Sequence, residues 1–380
     1  MPSYDYIIAG AGAAGLSLLT RMISSSNFSE KKFLVIDRAP KRSNDRTWCF
    51  WEKDTGFFEE IVYRKWKRLS FHSLQFNAEL SIEPYQYKMI RGIDFYNWCF
   101  DKINRQKNIE IVYGELSFRT DSSGNNKIFL DSSELNTNGA IVFNSIHHFR
   151  KQNNKTIDLL QHFKGWIIET DDILFDGSIA TLMDFRISQA DGSTFVYVMP
   201  FGPSKALVEY TLFSENILEQ HQYDTAIRNY IKDFLGIEHF RIVEEEFGII
   251  PMTNARFPFY ENGMYNIGTA GGQTKASTGY TFHFIQKQTS MIVNSLANNK
   301  PLQELVFSPA RFSFYDSVLL QVLQNGKPGG REVFSRLFQR NKAAGIFKFL
   351  DNETSLLEEL RLMSSLPIAP FFKAAMQQLV

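Results

Sequence analysis

Apolar positions first gather at Tyr6-Ile7-Ile8-Ala9, an unbroken run of the kind a strand buried on both faces carries. Gly10-Ala11-Gly12-Ala13-Ala14-Gly15 follows at once, and Leu16, Leu18, Leu19 and Met22 continue at helical spacing. A second apolar run, Phe33-Leu34-Val35-Ile36, ends in Asp37. Strand, glycine turn, helix, strand and terminal acid together predict a dinucleotide-binding unit. Gly10 suits the tight turn, Gly12 the close approach of a pyrophosphate, and Gly15 the packing of helix on sheet. Helix N-terminal amides favour the phosphates, and Asp37, 22 residues beyond Gly15, is placed to accept from ribose hydroxyls.

The pattern then changes. Residues 61–90 alternate and are rich in aromatics. A helix is expected from Asp94 to Asn104, a strand from Ile109 to Tyr113, a Gly/Ser/Asn hairpin near Gly124, and a strand from Ala140 to Asn144. Ile179 to Phe185, Thr194 to Pro200 and Ala206 to Phe213 read as successive strands of an antiparallel sheet inserted into the nucleotide unit. Tyr265-Asn266-Ile267-Gly268 returns to strand and glycine turn, before a long helical segment. From Pro301 onward the pattern is mostly helical. The predicted class is α/β with an α+β insertion. Residues 1–60, 85–160 and 255–300 form a discontinuous nucleotide-binding domain, 61–84 and 161–254 an antiparallel-sheet substrate domain, and 301–380 a helical C-terminal region.

Composition adds little to the fold and something to the function. The 41 Lys and Arg balance 41 Asp and Glu in 380 residues, which argues against a nucleic-acid binder. Two cysteines, Cys49 and Cys99, are too few for a disulfide framework, and the seven histidines lack ligand spacing, so no metal is expected. No run reaches the ~18 apolar residues that span a bilayer, and the N-terminus does not read as a secretory signal. The 35 phenylalanines are the outlying count, fitting either ordinary core or the lining of a large apolar pocket.

One carboxyl stands apart. Ala206-Leu207-Val208-Glu209-Tyr210-Thr211-Leu212-Phe213 places Glu209 in an otherwise uncharged strand, where burial would keep it protonated near neutral pH; alternatively it faces solvent. Asp184 and Arg186, two apart on a strand, share a face as a catalytic pair or a plain ion pair. Phe195, Tyr197, Phe201, Tyr210, Tyr280 and Phe282 flank these strings as candidate pocket walls or as core. Arg64, Lys65, Lys67 and Arg68, interleaved with Tyr63 and Trp66, and the Phe-rich tail are candidate bilayer contacts or a solvated face and a helical cap.

Taken in order, these features resemble the Rossmann-type FAD-binding flavoproteins of the hydroxybenzoate-hydroxylase type. Within that group the chain resembles the lycopene cyclases through Asp45-Arg46-Thr47-Trp48, Leu182-Met183-Asp184-Phe185-Arg186 and Phe195-Val196-Tyr197-Val198-Met199-Pro200-Phe201. Val208-Glu209-Tyr210-Thr211, Gly248-Ile249-Ile250-Pro251-Met252 and Ser277-Thr278-Gly279-Tyr280 complete the set. The resemblance implies cyclisation of the linear ψ ends of lycopene, through γ-carotene, to β-ionone rings without net redox change. It implies reduced FAD as cofactor with NAD(P)H as reductant, and a cytoplasmic enzyme held peripherally at the inner membrane by surface lipids. Glu209, Asp184 and Arg186 would carry the chemistry. Gly10, Gly12, Ala14, Gly15, Asp37, Arg38, Arg91, Gly268, Thr269, Gly271, Gly272 and Gly279 would hold the cofactor. Thr269 stands where many related flavoproteins carry Asp. A redox flavoenzyme on the same fold, a monooxygenase or isoprenoid reductase, is the competing reading.

Overall fold

The computed structural model describes residues 4–120, 126–147 and 156–379. The chain begins with β1 (Tyr6–Ala9), α1 (Ala13–Ile23) and β2 (Phe33–Asp37). Next come β3 (Thr47–Glu52), β4 (Arg64–Trp66), β5 (Arg68–His72), β6 (Asn77–Ser81), β7 (Gln86–Arg91), α2 (Gly92–Ile103) and β8 (Ile109–Tyr113). Three short strands, β9 (Leu116–Thr120), β10 (Asn126–Leu130) and β11 (Ser133–Glu134), precede β12 (Ile141–Asn144). The central part holds β13 (Asp158–Glu169), β14 (Ile179–Asp184), β15 (Ser193–Gly202), β16 (Lys205–Ser214), α3 (Gln220–Leu235) and β17 (Arg241–Thr253). After β18 (Tyr260–Glu261), β19 (Met264–Asn266) and α4 (Phe282–Ala297), the chain runs through α5 (Ala310–Asn325), α6 (Gly330–Arg340), α7 (Ala343–Leu350), α8 (Leu356–Met363) and α9 (Ile368–Leu379). β9 and β10 pair antiparallel as a hairpin requires, while the expected turn around Gly124 lies outside the described residues.

Two large sheets organise these elements. The first runs β18-β19-β12-β1-β2-β8, parallel except at the β18 edge, so strands 122 residues apart in the chain, around Asn144 and Asn266, lie side by side. Its strands β1 and β2 are buried along their whole length, as unbroken apolar runs require. α1, α2 and α4 cover one face. The second sheet runs β17-β13-β16-β15-β14-β5-β6, antiparallel except for the β14–β5 pair. β3, β7 and β4 form a small sheet of their own, which carries residues 64–66 away from the second sheet.

Period-2 alternation gives the second sheet two faces. Val196, Val198, Val208, Tyr210 and Leu212 point to α3 and pack against its Tyr223, Ile227 and Ile231. Phe195, Tyr197, Leu207 and Phe213 point the other way, into a core shared with Phe334, Phe338 and Phe347 of α6 and α7. The C-terminal helices cover only part of that second face. The remainder is open, and the cavity lies there.

Candidate functional site

A cavity of about 580 Å³ lies between the N-terminal end of α1 and the inner faces of β13, β15, β16 and β17. At one end Gly12, Ala13 and Ala14 line it. α1 has no side-chain cap and no acid in its first turn, so its leading N–H groups are left for a ligand. A Cβ at Gly12 would meet nothing within 4 Å, whereas one at Gly15 would lie 2.0 Å from the Gly10 carbonyl oxygen. Gly12 thus keeps a cradle open, and Gly15 allows the turn to close on itself. Asp37 Oδ2 accepts from the Ala11 N–H at 2.7 Å, which ties the glycine loop to the end of β2. Its Oδ1 receives Lys41 Nζ at 3.0 Å. Asp37 and Arg38 line a second, smaller cavity of about 170 Å³. The uncapped helix, the side-chain-free cradle at Gly12 and this adjoining hollow fit a dinucleotide.

The remaining residues expected at the cofactor divide. Thr269 and Gly279 line the cavity, with Thr269 Oγ1 3.2 Å from Thr274 Oγ1. Gly268 and Gly271 serve the approach of the turn to α1 and β19: a Cβ at Gly268 would sit 2.5 Å from that of Ala14, and one at Gly271 2.2 Å from the Asn266 carbonyl oxygen, while Gly272, at a φ of 72°, lies against Phe257. Arg91 turns away from the cavity. Its guanidinium makes a bidentate contact with Asp94 at 2.6 and 2.8 Å and lies over the Tyr63 ring. Arg46, from the Asp45-Arg46-Thr47-Trp48 string, lines the cavity instead.

At the far end stand two carboxyl groups, Glu209 of β16 and Glu246 of β17. Gly165 of β13 is the register partner of both, so they project from the same face on either side of it. Their carboxyl groups reach hydrogen-bond contact. Thr211 Oγ1 donates to Glu209 Oε1 at 2.9 Å, and Thr47 Oγ1 donates to Glu246 Oε2 at 2.8 Å. Glu246 Oε1 is buried with no donor. Burial pushes Glu209 well above the usual carboxylate range, and the neighbouring Glu246 charge adds to this. Burial raises Glu246 too, opposed by the bonds from Thr47 and Glu209 and by the Arg46 charge. The two carboxyls therefore titrate as a pair, with burial and the neighbouring charge weighting Glu209 toward its protonated form.

Tyr197, Tyr87 and Tyr280 complete this end, with Tyr87 Oη 3.1 Å from Tyr280 Oη. Burial raises all three phenols, which keeps them neutral. Phe282, Phe163, Met199 and Ile250 form apolar wall.

Several expected residues lie elsewhere. Asp184 is fully buried on the α3 side, where Arg186 grips it through Nε at 2.9 Å and the Tyr230 hydroxyl donates at 2.8 Å. Neither Asp184 nor Arg186 lines the cavity; an acid that packs under α3 must be paired, and this pair does so. Phe195 is core between Phe185 and Phe213, Phe201 packs edge-on to Tyr63, and Tyr210 faces Tyr223 of α3. Of the basic stretch, Lys65 is paired with Glu59 and Arg68 with Glu79. His283, Asp351 and Glu353 form a group whose ligand atoms lie within 4.8 Å of one another, with Lys287 Nζ at its edge, 2.7 Å from Glu353 Oε1 and 3.0 Å from the Asp351 carbonyl oxygen.

Sequence reasoning missed Glu246. It closes the run Glu244-Glu245-Glu246, which reads as a solvated face, and the cue was its place two residues before Gly248 of an already noticed string.

The parallel sheet, its glycine turn and the uncapped α1 define a flavoprotein fold of the hydroxybenzoate-hydroxylase type. A geranylgeranyl bacteriochlorophyll reductase-like protein from Thermoplasma acidophilum shares it, with a TM-score of 0.59 and 12% identity over 99% of this chain and 100% of that one. The lycopene cyclase protein family matches residues 5–376, and the chain belongs to that family. A lycopene beta-cyclase from Paracoccus sp. (strain N81106 / MBIC 01143) is 24% identical over 204 residues, half of this chain and 52% of the relative. A chloroplastic neoxanthin synthase from Solanum lycopersicum is 25% identical over 297 residues, 73% of this chain and 57% of the relative. The chain thus spans little more than half the length of these relatives.

Proposed function

We propose that the protein is a lycopene β-cyclase that closes the ψ ends of lycopene, through γ-carotene, into β-ionone rings. The observation that carries this reading is Glu209, a buried carboxyl raised well above the usual range, in an aromatic cavity whose other end is a dinucleotide cradle, in a chain of this family. Glu209 protonates the terminal alkene, leaving a tertiary cation. The next double bond attacks that cation, and loss of an adjacent proton completes the ring. Positioned acid catalysis supplies roughly 10²- to 10⁴-fold, so electrostatic stabilisation of the cation must supply more. Reduced FAD bound along α1 would add negative charge beside the cation. Tyr197, Tyr280 and Phe282 turn ring faces or edges to the same space and exclude water from it.

A polyene of this kind resides in lipid, which favours a peripheral membrane position. Among the described residues no helix is long and apolar enough to cross a membrane. Ile368, Phe372, Met376 and Leu379 form an exposed apolar stripe on α9, near the exposed Leu356, Leu357 and Leu360 of α8. This face is the proposed point of bilayer contact.

The test is anaerobic turnover of lycopene in vesicles with chemically reduced FAD, with NADPH as a parallel reductant. An isomer of unchanged mass and shorter-wavelength absorbance is expected. Product that has gained oxygen or hydrogen overturns the cyclase reading in favour of a redox flavoenzyme. Glu209→Gln should retain flavin and lose turnover.

A further inference from the structure

We infer that Glu246 is the second member of a one-proton diacid with Glu209, and that it accepts the proton which the ring cation loses after Glu209 has delivered one to the alkene. The inference rests on the cyclase reading for its substrate, and on strand register, burial and the neighbouring groups for the pair.

Glu209 and Glu246 stand on strands either side of β13, so their backbones are two strand spacings apart, roughly 10 Å. Their side chains meet only because the position between them has none. A Cβ at Gly165 would lie 2.8 Å from Leu207 Cδ1 and 3.1 Å from Glu246 Cγ. Strand phase turns Glu245 to the α3 side, where Lys164 takes it at 3.2 Å, and Glu244, in phase with Glu246, is held by Asn44 Nδ2 at 2.7 Å.

The surroundings of the pair are unequal. Thr47 and the Arg46 charge face Glu246, favouring its anion against the nearby Glu244. Glu209 is faced by Thr211, Cys49, Tyr197 and Tyr280, with Tyr87 behind, and none of these is a cation. The resting pair is therefore Glu209 protonated against Glu246 ionised. Thr47 donates to Oε2 of Glu246, so its buried Oε1 is the oxygen left to meet a proton from Glu209 or from the substrate.

Ring formation needs both. The O–H bond of Glu209 breaks as a C–H bond forms at the terminal alkene, and the resulting cation takes up the π electrons of the next double bond as the ring C–C bond forms. A C–H bond beside the ring cation then breaks, its electrons become the ring double bond, and the proton passes to Glu246. Transfer from Glu246 to Glu209 restores the starting pair. One proton enters and one leaves, and no electrons are exchanged.

The infrared carbonyl band of a protonated carboxyl, followed against pH in flavin-loaded protein, reads the pair without substrate. Wild type should keep such a band beyond the ordinary carboxylate range. In an Asp351→Asn background, which silences the other strongly raised carboxyl, Glu209→Gln should remove it, and Glu246→Gln should move its midpoint to lower pH because the neighbouring negative charge is gone. With lycopene, Glu246→Gln should lose about 10²-fold in turnover, and Glu246→Asp should regain part of it. A band midpoint and pH–rate profile unchanged in Glu246→Gln would overturn the inference. Glu246→Ala, which also removes the charge, serves the same comparison if the amide variant does not fold. A normal band response without any cyclisation would instead reject the substrate assignment and leave the diacid standing; cyclisation with an unresponsive band would do the reverse.

Discussion

Single atoms decide much of this site. Gly12→Ala adds a methyl where the fold has room but the phosphate cradle does not, so thermal stability should hold while flavin affinity falls by about tenfold or more, as read by fluorescence titration. Gly165→Ala adds one where there is no room, and should cost about 1–3 kcal/mol in denaturant unfolding. Away from the cavity, burial pushes Asp351 from 3.8 up to about 7 and holds the adjoining His283 down at about 3. A carboxyl that binds its proton more tightly when folded contributes stability that is complete below 3.8 and is lost as pH rises through about 7. Asp351→Asn should therefore flatten the melting temperature against pH across that window. An unchanged slope would show that Asp351 titrates normally in the folded chain.

At the scale of elements, the apolar runs were readable because burial on both faces writes itself as continuous hydrophobicity: β1, β2, β15 and β16 lie within two residues of their expected ends. β13 and β17 were not readable. Both alternate with charged residues that are satisfied only by neighbours distant in sequence, as Lys164 is by Asp224 and Glu245. α3 was hidden by the polarity of its outer face. The same cause concealed half of the acid pair, since the partner of Glu209 depends on the register of β13 with β17, which no local pattern states. It also blurred Asp184 and Arg186, whose spacing is equally that of a catalytic pair and of a packing device. Asp184→Asn should separate these: a loss of about 3 kcal/mol in stability, with flavin affinity kept, marks the contact as the fastening of α3 onto the sheet. A loss of turnover at full stability would return the pair to the chemistry.

Across the whole molecule, the second sheet is a partition. One face is sealed by α3, and the other divides between the helical C-terminal core and the cavity. The phenylalanine excess is shared between the core beneath α6 and α7 and the core against the parallel sheet, and only partly lines the cavity. The apolar side chains of α8 and α9 lie on the outside. Replacing Leu357 and Phe372 together with Glu should lower flotation with liposomes and leave turnover of detergent-dispersed lycopene intact; undiminished flotation would place the bilayer contact elsewhere.

The position of β17 in the partition has a kinetic side. It is an edge strand, hydrogen-bonded to β13 alone, and it carries Glu246. Edge strands open at lower free energy than the interior of a sheet. Each such opening detaches one carboxyl from the other while the remaining six strands stay paired. Catalytic competence should thus disappear at a lower urea concentration than folded structure, and amide exchange in β17 should rise in step with the loss.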